Sequence, residues 1–202
     1  SVANAMGVEA ERIDGWAKAY AYRPGQKLAG TRPNHAWNVV KVNGDWIVVD
    51  ATWGSGTAGG GRGLNSKKLF SPYWFNVNPY EFLFLHYPQD EKWLLVPQPL
   101  SLKQYEDMPF LESGFFQLGF SARDIFEKVM SKTAPKQFPQ AYNSQLTIRL
   151  LNFPVDGIMA PEPDVTFSLT CNEDLDIVIV NDPKKFRRME RSGHTYSVKM
   201  PV

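Results

Sequence analysis

The sequence predicts an α+β protein, mostly antiparallel β, and three observations carry that expectation. Two β-rich runs, His35 to Val42 and Asp45 to Asp50, are joined by Asn43-Gly44. Asn-Gly is the preferred pair for a type I′ hairpin turn, which needs positive φ at both central residues. From residue 145 the chain breaks into short β runs separated by turn clusters such as Pro154-Val-Asp-Gly157 and Asn181-Asp-Pro183. Between these regions, Arg123 to Ser131 reads as a single short helix.

Taken in order, Ser1 to Met6 resembles the last turns of a helix, with Gly7 at the left-handed C-cap position. Val8 to Tyr22 alternates as a strand interrupted at Gly15, and Arg23 to Pro33 is a loop by its Gly and Pro content. Beyond the hairpin, Gly54 to Gly63 is Gly-rich but lacks the closing Gly-Lys-Ser/Thr of a phosphate cradle, so it reads as a linker. Residues 70 to 120 are dense in aromatics and Pro and are expected to form short strands and irregular packed segments. The β runs Gln145–Leu151, Val165–Cys171, Leu175–Val180 and His194–Met200 suggest a small antiparallel sandwich. The polar, Pro-containing stretch Thr133 to Ser144 places a boundary that gives domains 1–132 and 133–202.

Composition narrows the function. The 202 residues are 43% hydrophobic and 13% aromatic, enough for one large domain or two small ones with real cores. Twenty-two basic against 21 acidic side chains remove the electrostatic case for nucleic-acid binding. Apolar runs such as Phe82–Leu85 and Ile177–Val180 are far short of a membrane span. One cysteine, Cys171, excludes an internal disulfide framework and a multi-Cys metal site, and with no secretory leader pattern the expected compartment is the cytoplasm. Because residue 1 is not Met, the sequence is expected to be a piece of a longer protein.

The hairpin also carries chemistry. With a two-residue loop, paired residue numbers sum to 87, so Trp37 lies opposite Asp50 and His35 opposite Thr52. Side chains alternate along a strand, so His35, Trp37, Asp50 and Thr52 project from one face. His35 and Asp50 are then diagonal neighbours, within reach of an imidazole–carboxylate hydrogen bond. A carboxylate beside an imidazole fixes its tautomer and stabilises the imidazolium formed when the ring takes a proton from a nucleophile. A pair that merely staples the sheet fits the same spacing.

Residue identity adds to this. Asn34-His35-Ala36-Trp37-Asn38, followed by Val49-Asp50-Ala51-Thr52-Trp53-Gly54, closely resembles the His and Asp boxes of the transglutaminase-like superfamily. Gly7-Val8-Glu9-Ala10 and Asp14-Gly15-Trp16-Ala17-Lys18 look like the strand leading to the first box. Tyr80-Glu81-Phe82-Leu83, His86-Tyr87-Pro88, Trp93-Leu94-Leu95 and Leu102-Lys103-Gln104-Tyr105-Glu106 resemble the kyphoscoliosis peptidase and hillarin branch. That resemblance implies a papain-like core followed by an Ig-like β module. It implies a Cys-His-Asp mechanism in which His35 shuttles the proton and Asp50 orients His35. Trp37 reads as a wall of the His–Asp pair that limits water, and so as a substrate-binding candidate, or as a plain core tryptophan. The nucleophile of the family sits on a helix that would precede Gly7, so it is expected upstream of Ser1, and the 202-residue chain alone is expected to be inactive. Acyl transfer or hydrolysis at a protein amide follows, with hydrolysis preferred because the branch is called a peptidase. The alternative is a non-catalytic scaffold on a degenerate core. Either way the implied partner is a protein, a substrate or a cytoskeletal component, and the implied place is the cytoplasm in association with the cytoskeleton.

The remaining residues carry less. Cys171, at the end of a β run, reads as a buried core thiol. His86 reads as a packed or rim histidine without metal partners at usable spacing, and His194 as an exposed residue opening the last strand. Lys184, Lys185, Arg187, Arg188 and Arg191 read as a solvated turn or partner surface. With no acidic run at EF-hand spacing, neither a metal nor another cofactor is expected.

Overall fold

The computed structural model describes residues 2–19, 22–56, 70–142, 144, 146–159, 164–182 and 185–201. Most of the Gly54 to Gly63 linker lies outside the described residues. The chain divides into two compact units, Ser1–Phe110 and Leu111–Val202. That division falls earlier than the boundary at 132/133 suggested by the polar, Pro-containing stretch.

The first unit opens with the short helix α1 (Val2–Ala5), and Gly7 follows it at φ 77°. It is built on an antiparallel sheet of β1 (Ala10–Ala17), β2 (His35–Val42), β3 (Asp45–Val49) and β4 (His86–Pro88), in the order β3-β2-β1-β4. Asn43 and Gly44 adopt φ 53° and 95°, as the hairpin turn requires. The register runs unbroken from Val42↔Asp45 to Asn38↔Val49. Beyond Val49 the pairing stops. The Asp50 N–H donates to the Trp74 carbonyl, and its carboxylate caps α2 (Ala51–Gly54). Thr52 is therefore helical and does not oppose His35, because an N-cap carboxylate at Asp50 starts a helix where the strand was expected to continue.

β1 ends at Ala17, short of the expected Tyr22, and Gly15 does not interrupt it. Gly15 is paired on both sides, with His35 and with Pro88. A Cβ there would overlap the Tyr87 carbonyl oxygen and the Trp37 ring, so glycine is required by close approach, with no change of direction.

Between residues 70 and 110 the expected short strands reduce to β4. The rest combines the expected irregular packed segments with helical turns: 3₁₀ turns at Pro72–Trp74 and Glu91–Leu94, α3 (Pro79–Leu83) and α4 (Leu102–Asp107). Three of these four have a side-chain cap. Asn78 accepts from the Tyr80 N–H with Pro79 in the first turn, Asp90 accepts from Lys92, and Ser101 and Gln104 form a capping box. The core packs Ile13, Trp37, Val39, Val48, Trp74, Val77, Phe82 and Leu85 against one face of the sheet.

The loop before β2 is held by buried polar groups. Glu106 accepts from the backbone N–H of Leu28 at 2.5 Å and of Ala29 at 2.6 Å. Lys18, 1% exposed, donates to the carbonyls of Tyr105 and Met108 at 2.8 and 2.9 Å. Asn34 uses its side-chain amide like a strand residue. It accepts from the Ala17 N–H at 2.7 Å and donates to the Ala17 carbonyl at 3.1 Å. This sets the entry of β2, so His35 starts the strand at a fixed height against Gly15.

The second unit begins with α5 (Ser113–Gln117) and α6 (Ala122–Met130), the latter capped by Ser121 and matching the expected helix within a residue. A four-stranded antiparallel sheet follows in the order β5-β6-β10-β9, from β5 (Ile148–Asn152), β6 (Val165–Cys171), β9 (Glu190–Ser192) and β10 (Thr195–Met200). A separate pair joins β7 (Val178–Asp182) to β8 (Lys185–Arg188). His194 lies in the turn before β10. Of the basic stretch read as a solvated turn or partner surface, Lys185, Arg187, Arg188 and Arg191 lie in β8 and β9, and Lys184 lies outside the described residues. There Arg188 pairs with Asp176 and Arg191 with Asp174, so two of its cations are locally matched. Phe167, Leu169, Cys171, Met189, Tyr196 and Met200 form the core. Among the described residues, no helix is long and apolar enough to cross a membrane.

Candidate functional site

The sheet order brings three side chains together. Residues paired across antiparallel strands share a face, and so do residues two apart along one strand. Gly15 pairs with His35, and Ala17 pairs with His86. His35 and His86 therefore stand on the same face of the sheet, with β1 between their strands. Asp50, at the end of β3, turns its carboxylate toward both.

Asp50 is 1% exposed, and each carboxylate oxygen has a defined role. Oδ1 accepts the Trp53 N–H at 2.9 Å, which caps α2. Oδ2 lies 2.7 Å from His35 Nε2 and 3.1 Å from His86 Nε2. An ionised carboxylate only accepts, so both rings present Nε2–H to it, leaving Nδ1 of each neutral ring with a lone pair. Burial pushes the Asp50 carboxyl up. The hydrogen bonds from His35, His86 and Trp53 outweigh it and hold the group well below the usual carboxylate range.

The two imidazoles differ in surroundings. The His35 side chain keeps 13% exposure, so the ring nitrogen not engaged by Asp50 belongs to a partly open ring. His86 is fully buried. Its ring stacks on Phe82 at 3.8 Å between centroids and 8° between planes, with Trp53 at 4.4 Å, Trp37 at 5.3 Å and Trp74 at 5.8 Å. Burial in this aromatic box pushes the His86 imidazole down to about 4, so it stays neutral at neutral pH.

The expected His35–Asp50 pair is thus formed. Trp37, expected to wall the pair or to be a core tryptophan, is 2% exposed and walls the pair from inside the core, which leaves little of it for a substrate to touch. The indole beside His35 with partial exposure is Trp53, at 5.5 Å between ring centroids. His86, read as a packed or rim histidine, is packed, and it also shares the Asp50 oxygen. Its local sequence gives no hint of this, because its strand pairs with β1, some seventy residues earlier in the chain. Cys171 is 1% exposed in the core of the second unit.

His35, Asp50 and His86 also place one potential metal-ligand atom each within 4.8 Å of one another. Two ligand atoms bound to one tetrahedral zinc at about 2.0–2.2 Å would stand about 3.3 Å apart. The 2.7 Å contact between His35 and Asp50 is shorter, as in a direct hydrogen bond.

At the start of β2 an aromatic-walled imidazole is thus held by a buried carboxylate that lies just past the end of β3. Over roughly half its length the chain is similar in sequence to proteins of the hillarin and kyphoscoliosis peptidase branch. It is 33% identical over 121 residues to hillarin of Drosophila melanogaster, covering 55% of this chain and 15% of that protein. It is 35% identical over 115 residues to kyphoscoliosis peptidase of Homo sapiens, covering 56% and 17%. It is 32% identical over 120 residues to the LIM and transglutaminase domain protein ltd-1 of Caenorhabditis elegans, covering 55% and 17%. The match thus spans 15–17% of these relatives' own length. No family model matches the chain.

Proposed function

We propose that His35 and Asp50 are the base and the orienting carboxylate of a thiol-dependent acyl-transfer site acting on protein amides. The observation that carries this is the 2.7 Å contact between His35 Nε2 and the buried Asp50, which leaves Nδ1 as the basic nitrogen. In this reading the nucleophilic thiol comes from a part of the longer protein outside these 202 residues, since Cys171 is packed in a core. Its proton passes to His35 Nδ1, and the thiolate attacks the amide carbonyl carbon. His35 then returns the proton to the leaving amine as the C–N bond breaks, giving a thioester. Water resolves the thioester in a peptidase, and an amine resolves it in a cross-linking enzyme. The name of the human relative supports hydrolysis. Asp50 stays ionised throughout and holds the imidazolium.

The reading extends to the architecture. The first unit is the later part of a papain-like transglutaminase core, and the two sheets of the second unit are an Ig-like module. The implied partner is a protein, as substrate or cytoskeletal component, in the cytoplasm. The chain alone is inactive.

The test is thiol trapping with an electrophilic amide mimic on the longer protein, with the labelled site read by mass spectrometry. Labelling of an upstream cysteine, abolished by His35→Ala, is the expected result. No labelling would favour a non-catalytic scaffold on the same core, and His35-dependent labelling at Cys171 would relocate the nucleophile.

A further inference from the structure

We propose that His86 is a positioning residue of this site: its Nε2–H donates to Asp50 Oδ2 and fixes the carboxylate that orients His35. The inference rests on the acyl-transfer reading for its purpose, but its geometry stands apart from any thiol.

Three observations point the same way. First, His86 sits where a phenylalanine would serve if packing were all that mattered. It stacks face to face on Phe82 and is fully buried, and its Nδ1 makes no well-formed hydrogen bond, only a weak approach to the Phe82 backbone. Burying an imidazole with one nitrogen unsatisfied is costly, so the contact made by the other nitrogen must offset that cost. Second, that contact is to the oxygen that receives His35. A carboxylate oxygen accepts two hydrogen bonds, and in a dry site a second donor completes it. Third, the carboxylate is held at both ends, Oδ1 by the Trp53 N–H and Oδ2 by His86. Its plane is therefore set without help from His35, the partly exposed member of the cluster.

The chemical consequence concerns the moment when His35 carries an extra proton. Asp50 must stabilise that imidazolium without taking the proton itself, and each hydrogen bond it receives makes it a weaker base. The titratable groups acting on Asp50 are His35 and His86, and those acting on His86 are Asp50 and His35. A neutral donor at 86 strengthens the acidity of Asp50 without adding a charge that would repel the imidazolium.

The test uses the isotope-labelled chain in solution. Long-range proton–nitrogen correlation reads the tautomer of His86, and carbonyl-carbon titration reads the Asp50 carboxyl in the parent, His86→Phe and His86→Gln proteins. The expected result is an Nε2–H tautomer for His86 in the parent. In His86→Phe, Asp50 protonates about one pH unit higher, and in His86→Gln, whose amide N–H can donate, the midpoint moves back toward the parent. A role in packing alone would leave the Asp50 midpoint unmoved in His86→Phe. That outcome, or an Nδ1–H tautomer in the parent, overturns the proposal. If His86→Phe does not fold, the parent tautomer and the glutamine variant decide. Since no thiol takes part, failure of trapping in the longer protein leaves this result standing, and the reverse holds as well.

Discussion

The Trp37 ring occupies the volume that a side chain on Gly15 would need. A Cβ at Gly15 would meet that ring and the Tyr87 carbonyl oxygen together. Glycine in the middle of a strand weakens it, and here it also lets an indole lie across β1 beside both His35 and His86. Trp37 packs edge-on against both Phe82 and His86, so this one missing methyl group underlies the wall behind the cluster.

Gly15→Ala therefore forces either the strand or the indole to move. The expected cost is about 2 kcal/mol, the middle of the range for overpacking a filled core. Urea unfolding measures it, and an unchanged midpoint would mean that the sheet has slack that the packing does not show.

His86 makes stability depend on pH. In the folded protein it is pushed down to about 4, against an ordinary value of 6.5. Between those values the unfolded chain binds a proton that the folded chain does not, so stability falls as pH falls through this window. The slope reaches about 1.4 kcal/mol per pH unit, and the total is about 3 kcal/mol. Asp50 has the depressed value of an acid, so its contribution is complete above about pH 4 and is lost only below that. Chemical unfolding between pH 7 and 4 is expected to show the decline in the parent and a flatter profile in His86→Phe.

Lys18 ties α4 to the sheet. Burial pushes its amine down to about 7, while Asp107 and Glu106 pull it up. Lys18→Met leaves the carbonyls of Tyr105 and Met108 without this donor, at a cost of about 2 kcal/mol. Hydrogen exchange is expected to quicken in α4 and in the Leu28–Ala29 turn, where Glu106 holds the backbone. Unchanged protection there would show that Glu106 holds the turn without the lysine.

Cys171 is expected to resist alkylation in the native protein. The residue is 1% exposed, and its strand is paired on both sides, with β5 and β10. Reaction with iodoacetamide should appear only with denaturant and should be indifferent to His35→Ala. Rapid native labelling would contradict the packing described for the second unit.

Much of the site was legible because it is local. Asn43-Gly44 sets the hairpin register, and counting outward from it brings His35 and Asp50 together. The same counting failed at Thr52, because the carboxylate at Asp50 caps a helix and ends the ladder. The turns between 72 and 107 were written in Asn78-Pro79 and Ser101-x-x-Gln104, but the density of aromatics there looked like strands. His86 was out of reach for a different reason. Its position depends on β4 pairing with β1, a contact across some seventy residues that no local pattern encodes.

The central claim is that His35 offers a bare Nδ1 because its Nε2–H is committed to Asp50. Long-range proton–nitrogen correlation on the isotope-labelled chain at neutral pH reads this directly. The expected spectrum shows His35 as the Nε2–H tautomer, with a pyridine-type Nδ1 and an Nε2 proton shifted by its short hydrogen bond. A His35 found as the Nδ1–H tautomer, or averaging freely between the two, would contradict the account.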